Sequence, residues 1–206
     1  MPAAMVAAPL LLFLGNALHP VDHDRDEQAW LAGIAGHRTQ WYVAHLLVFA
    51  ALPLFVPAVV GLLRALGERR AGVADAGAAL AVAAGFGTAG FVAVEGFGAW
   101  QMTAPGADRE TMVALLERFN DSFGTFAPTG AATLAFSIGL GVLGYALLRA
   151  RVEPRWGPAL IVLSRAIVVV TFAVGHETGE YLMGVVAAAD LLMLAGFAPL
   201  AARQAP

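Results

Sequence analysis

The sequence contains no cysteine and no lysine, and only 13% of its 206 residues are charged. Without cysteine there are no disulfides, thiolate metal sites or cysteine nucleophiles, so any metal ion must be held by nitrogen and oxygen. Without lysine, Schiff-base chemistry is excluded and every positive side chain apart from histidine is an arginine. A soluble domain carries about a quarter charged residues, so the shortage of charge excludes an ordinary cytosolic enzyme. A formal net charge of -3, with no basic patch along the chain, argues against nucleic acid as a partner.

Apolar bulk replaces the missing charge. Hydrophobic residues make up 59% of the chain, the mean hydropathy is +0.73, and the apolar residues come in blocks of about twenty, the length that crosses a bilayer as a helix. Six such segments are marked: Ala3 to Leu18, Trp41 to Leu66, Val73 to Met102, Phe126 to Leu148, Gly157 to Gly175 and Tyr181 to Leu200. No β-barrel alternation is present, so every backbone group must be satisfied within a helix. The expected fold is all-α, a single polytopic integral membrane bundle of about six transmembrane helices. Met1 to Leu14 has no basic flank and no small-residue cleavage site, and is read as a retained first helix.

The few charges orient the bundle. Arg64, Arg69, Arg70, Arg149, Arg151, Arg155 and Arg203 flank alternate connections and the last span, and by the positive-inside rule those faces are cytoplasmic, with both termini. Asp22, Asp24, Asp26, Glu27, Asp108, Glu110, Glu117, Asp121, Glu177 and Glu180 fall on the opposite face. The expected location is therefore the cell membrane, multi-pass, with Trp41, Trp100 and Trp156 as interfacial anchors. Asp26 to Ala35 and Asp108 to Phe119 carry helical periodicity and are expected as two extracytoplasmic capping helices. Asp24-Arg25-Asp26 and Asp108-Arg109-Glu110 open them alike, which hints at a duplicated helix, cap, helix unit.

Two glycine runs, Gly85 to Gly90 and Gly139 to Gly144, fit a dinucleotide-binding spacing, but both lie inside spans and neither follows a strand. They are read as surfaces for close helix packing. Pro53, Pro57 and Pro128 are expected to kink spans two and four.

All five histidines, His19, His23, His37, His45 and His176, fall on the outer side. His19, His45 and His176 stand at or near span ends, and Glu95 lies about 7 Å below the outer end of span three at the helical rise. A carboxylate inside a bilayer needs a partner, and the histidines are the available ones. Three imidazoles with a carboxylate suit a transition metal ion such as zinc, iron or manganese. The expected metal set is His19, His45, Glu95 and His176. Glu95 and Glu177 are the catalytic candidates, as general bases toward a small apolar or lipid-like substrate entering from the bilayer. In a haem-binding redox protein, His45 and His176 would be the ligands. A proton- or ion-coupled transporter or channel and a structural or accessory membrane protein are the remaining alternatives. His23 and His37 read more simply as solvated loop residues, and His176 is favoured at a helix C-terminus without any metal.

The outward gathering of histidines resembles that of the zinc-dependent membrane hydrolases of the ceramidase and adiponectin-receptor kind. Those proteins have seven spans and a late HxxxH pair; here only His19 and His23 have that spacing, so the chain is not assigned to them. Independently, Arg165 in span five and Asp190 in span six stand at comparable depth on antiparallel neighbours, and are expected to form an intramembrane ion pair that sets helix registry. The sequence does not determine an oligomeric state.

Overall fold

Within hydrocarbon, a helix satisfies its own backbone, and among the described residues the apolar segments are helical apart from a residue at their ends. The structure is a computed structural model describing residues 1–20, 26–69, 71–178 and 182–204, without the side chains of 123, 125–129 and 176–178. Its helices are α1 (Pro2–Ala17), α2 (Glu27–Gly36), α3 (Arg38–Leu66), α4 (Gly72–Val92), α5 (Gly98–Met102), α6 (Arg109–Asp121), α7 (Phe123–Arg149), α8 (Trp156–Thr178) and α9 (Met183–Ala202). A π turn, Ala93–Phe97, joins α4 to α5, so Gly72–Met102 is one continuous run.

Five runs are long and apolar enough to cross a membrane: Arg38–Arg69, Gly72–Met102, Gly130–Arg149, Trp156–Gly175 and Met183–Ala202. They are the helices of a multi-pass membrane protein. Large apolar side chains such as Phe86, Leu163, Val170 and Leu191 point away from the protein, a surface that suits lipid and not water. The first predicted span, α1, is apolar but only 16 residues long, about 24 Å at the α-helical rise. The hydrocarbon core is about 30 Å thick.

Packing is sequential and closes on itself. Three antiparallel pairs, α1 with α3, α4 with α7, and α8 with α9, stand side by side; α3 touches α4, α7 touches α8, and α9 returns to α1. Each pair meets through glycine. A Cβ on Gly15 would strike Val48 and the Ala44 carbonyl, and one on Gly139 would lie 2.5 Å from the Ala81 nitrogen. Between α8 and α9, a Cβ on Gly196 would lie 2.6 Å from the Gly157 carbonyl. Inside the ring each pair contributes one phenylalanine to an apolar core. Phe55 meets Phe136 edge-on at 5.0 Å and Phe197 at 6.3 Å, the arrangement aromatic rings favour.

The two ends of the ring differ. Gln204 Nε2 donates to the Gly61 carbonyl at 2.9 Å and Met5 packs against Gly61, so both termini share one end with Arg64, Arg69, Arg151 and Arg203. Two of its helix ends use positive φ. Gly67 (φ 53°) ends α3, where glycine carries no Cβ penalty, whereas Arg151 (φ 54°) follows α7. There Val152 N–H bonds the Leu147 carbonyl at 3.1 Å and Arg151 N–H the Leu148 carbonyl at 3.0 Å, a Schellman closure that usually places glycine where Arg151 stands. A non-glycine residue held there costs about 1 kcal/mol.

The other end is capped. Asp26 starts α2 by accepting from the Gln28 and Ala29 N–H groups at 2.9 and 3.1 Å, as an N-cap aspartate should. Asp108 starts α6, with the Thr111 hydroxyl on its carboxylate. Thus Asp26, not Asp24, corresponds to Asp108. The caps join through Arg109 Nη2, which donates to the Gln28 carbonyl at 2.6 Å, and through one apolar cluster of Trp30, Leu31, Ile34, Trp41, Ala99 and Leu116. Trp41, expected as an interfacial anchor, is fully buried, because α2 and α6 cover the helix end on which it stands.

Candidate functional site

The site lies at the capped end, where α1, α3 and the π turn converge. His19 follows α1, its N–H bonded to the Asn16 carbonyl at 3.3 Å. On α3, Trp41 and His45 stand one turn apart on the inward face, both buried. Their rings and that of His19 form a cluster of tilted and edge-on contacts: Trp41 to His45 4.2 Å, His19 to Trp41 4.7 Å and His19 to His45 5.1 Å between centres.

Two contacts orient the cluster. His45 Nδ1 lies 2.9 Å from the Trp41 carbonyl. A carbonyl only accepts, so Nδ1 carries a proton, and in the neutral ring Nε2 then keeps its lone pair. That is the tautomer a metal-ligating histidine takes when its second nitrogen is anchored. Trp41 Nε1 donates to the Gly96 carbonyl at 2.7 Å, within the π turn, which widens the helical ladder by one residue. Gly96 also makes room for the site: any Cβ there would overlap the His45 ring.

Glu95, one residue before Gly96, opens onto a separate cavity of about 40 Å³ under the caps, lined by Trp30, Phe91, Leu116, Phe119 and Asn120 among others. That volume accommodates water. The Glu95 carboxylate has no hydrogen bond or ion pair among the described residues, and neither histidine lines its cavity. Of the expected metal set, then, His19 and His45 come together and Glu95 faces elsewhere. The side chains of His176 and Glu177 lie outside the described residues, as do residues 23 and 180. Among the described residues no group of three histidine, aspartate or glutamate side chains converges. His37 is exposed between α2 and α3, its Nδ1 on the Gly33 carbonyl at 3.1 Å.

Below this site runs a second polar group. Arg165 Nη2 meets Asp190 Oδ1 at 2.5 Å, with the two side chains 3% and 1% exposed. Asn16 Nδ2 donates to the other carboxylate oxygen at 2.6 Å. Arg165 Nε donates to Ser164 Oγ at 3.2 Å, and that hydroxyl donates to the Ile161 carbonyl at 2.8 Å. Asn16 was missed in the sequence, although a lone amide near the end of an apolar segment is a signal that a partner exists elsewhere. Through Asn16, which links to His19 by backbone, a polar column runs from the capped end to the middle of α8 and α9.

No protein-family model, curated protein or solved structure matches the chain.

Proposed function

We propose that the chain is a six-span integral membrane protein with both termini cytoplasmic, whose outward, capped end binds a transition metal ion between His19 and His45. The observation that carries this reading is the spacing of the two rings. With metal–nitrogen bonds near 2.1 Å, two imidazoles on one tetrahedral ion have ring centres about 5 Å apart, and these stand at 5.1 Å. The proton on His45 Nδ1, inferred from its carbonyl partner, supports it further. His176, at the end of α8, is the third ligand of the proposal. Such an ion would supply Lewis acidity, and zinc, iron or manganese suit a site rich in imidazole. Glu95 holds no part of the ion in this reading; it is the acid–base group of its own cavity, toward a small apolar or lipid-like substrate from the bilayer.

The test is metal content of the full chain purified in mild detergent and incubated in turn with zinc, iron(II) and manganese(II). One equivalent of a single metal is expected, lost in His19→Ala and His45→Ala. No retained metal, or equal retention in His45→Ala, overturns the reading, and a Soret band in fresh protein selects the haem alternative.

A different observation favours a second reading, proton- or ion-coupled transport: the polar column formed by Ser164, Arg165, Asp190, Asn16 and His19. Its inner half is closed by Phe55, Phe197, Met193 and Leu200, all buried. Proton flux into liposomes that is abolished by Asp190→Asn supports this reading, and flux unchanged by that substitution counts against it.

A further inference from the structure

At the end opposite the histidines, the turns after α3 and α7 and the end of α9 frame an open cavity of about 490 Å³, the size of a small-molecule site. Arg64, Arg69, Arg151 and Arg203 line it, against a single acid, Glu153. The ordinary explanation of such arginines is local: they follow the positive-inside rule, and they neutralise the negative carbonyl ends of α3, α7 and α9 that converge here. Two of the four fit that explanation. Arg69 Nη1 donates to the Ala150 carbonyl at 3.1 Å, and Arg203 donates to the Glu153 carbonyl. Glu153 is engaged as well, by Arg155 at 3.1 Å.

The guanidinium groups of Arg64 and Arg151 are left over, with no side-chain hydrogen bond or ion pair among the described residues. Two guanidinium groups therefore face one cavity with no acid committed to them. Arg151 adds an independent observation. It occupies the positive-φ position after α7, where glycine would relieve backbone strain, so the chain keeps an arginine at the cavity's rim against a local conformational cost.

We propose that this cavity is a phosphate-binding site, in which Arg64 and Arg151 grip the anion while Arg69 and Arg203 hold the walls. Planar guanidinium groups match phosphate oxygens two at a time, and basic pockets between helices on the cytoplasmic side bind phospholipid headgroups. The phosphate belongs either to an anionic lipid seated from the bilayer or to a soluble anion, and the two sources separate experimentally.

The full chain is placed in nanodiscs of dioleoylphosphatidylcholine, alone or mixed with dioleoylphosphatidylglycerol, and titrated with inorganic pyrophosphate. In parallel, lipid retained by detergent-purified protein is weighed by native mass spectrometry. Saturable pyrophosphate binding in phosphatidylcholine nanodiscs, weakened by added phosphatidylglycerol, supports the site and its headgroup occupant. Pyrophosphate binding unaffected by phosphatidylglycerol supports the site with a soluble occupant, and retained phosphatidylglycerol without pyrophosphate binding supports it with a lipid one. In each case Arg64→Gln and Arg151→Gly are expected to weaken binding about tenfold or more. Arg151→Gly relieves strain, so its anion-free melting temperature should not fall, and it carries the test should Arg64→Gln fold poorly. The proposal is overturned if neither probe binds, or if pyrophosphate does not bind and phosphatidylcholine is retained as well as phosphatidylglycerol. Unchanged affinity in Arg151→Gly overturns it equally.

Discussion

Replacing Asp190 with alanine is expected to destabilise the protein by about 3–5 kcal/mol, the cost of leaving one member of a buried ion pair alone. The structure explains the size. Arg165 and Asp190 are almost completely buried and 2.5 Å apart, and without the carboxylate the guanidinium keeps, among the described residues, only Ser164 Oγ at 3.2 Å. Asn16→Ala removes one hydrogen bond to the same carboxylate, and since such bonds within membranes average about 0.6 kcal/mol with a maximum near 1.7, it should cost about 1 kcal/mol. The ion pair, not the amide, therefore dominates. Converting both charges, Arg165→Met with Asp190→Leu, should recover most of the loss, because an apolar pair of similar volume is close to neutral. Recovery should be incomplete until Asn16→Leu is added, since the double variant leaves the Asn16 amide without its acceptor, at about 1–3 kcal/mol. The assay is reversible unfolding in mixed micelles, with thermal melts in parallel; 3–5 kcal/mol corresponds to roughly 6–20 °C for a chain of this length. The double-mutant cycle of Arg165→Ala and Asp190→Ala should show a coupling of about 2–3 kcal/mol. Single variants within about 1 kcal/mol of wild type, or losses that simply add in the double variant, would refute the reasoning.

Three further outcomes follow from the packing. Gly139→Ala should abolish folded yield or lower the melting temperature by many degrees, because its Cβ meets the Ala81 backbone, which cannot turn aside as a side chain would. Gly90→Ala, nearby on the same helix pair but with nothing within 4 Å of its Cβ, should stabilise by about 0.5–1 kcal/mol, and melting curves of both variants check the contrast. Trp41→Phe keeps an aromatic ring but deletes both the donor to Gly96 at 2.7 Å and the second ring of a fully buried indole, and should cost about 1.5–3 kcal/mol, measured by unfolding in micelles. Gly96→Ala should displace His45 and, on the proposed function, abolish metal retention while Gly98→Ala, whose Cβ has open space, retains it.

Much of the fold was legible because its signals are local. Helix bounds agree with the marked apolar segments to within about three residues at each end, since hydropathy and the 3.6-residue period are properties of the segment itself. The caps were readable from Asp26 and Asp108 ahead of helical patterns, and the glycine runs from their position inside spans. The length of α1 was legible too: Ala3 to Leu18 counts 16 residues in the sequence and the helix has 16, fewer than any of the five long apolar runs. At the candidate site, His19 and His45 were identifiable from their place at span ends. The facing of Glu95 was not, because the π turn at Ala93–Phe97 changes the rotation of every residue around it, and nothing in Ala-Val-Glu-Gly-Phe announces that turn.

By itself the sequence determined that this is an apolar, helical, membrane-crossing chain, that its charges divide into an arginine-rich end and an acidic one, and that few polar groups enter the spans. Those are sums over neighbouring residues, and hydrophobic burial is additive enough for sums to decide them. Which polar groups meet was decided by ring closure. It brings α1 beside α9, so that Asn16 reaches Asp190 across 174 residues of sequence. The docking of α2 and α6 buries Trp41, and the closure gathers arginines from three separate chain segments into one basin where the linear sequence shows no basic patch. Contacts of this kind depend on how each helix is rotated about its axis and which helices are neighbours, and both are set by close packing through Gly15, Gly139 and Gly196, long-range geometry that no local pattern encodes.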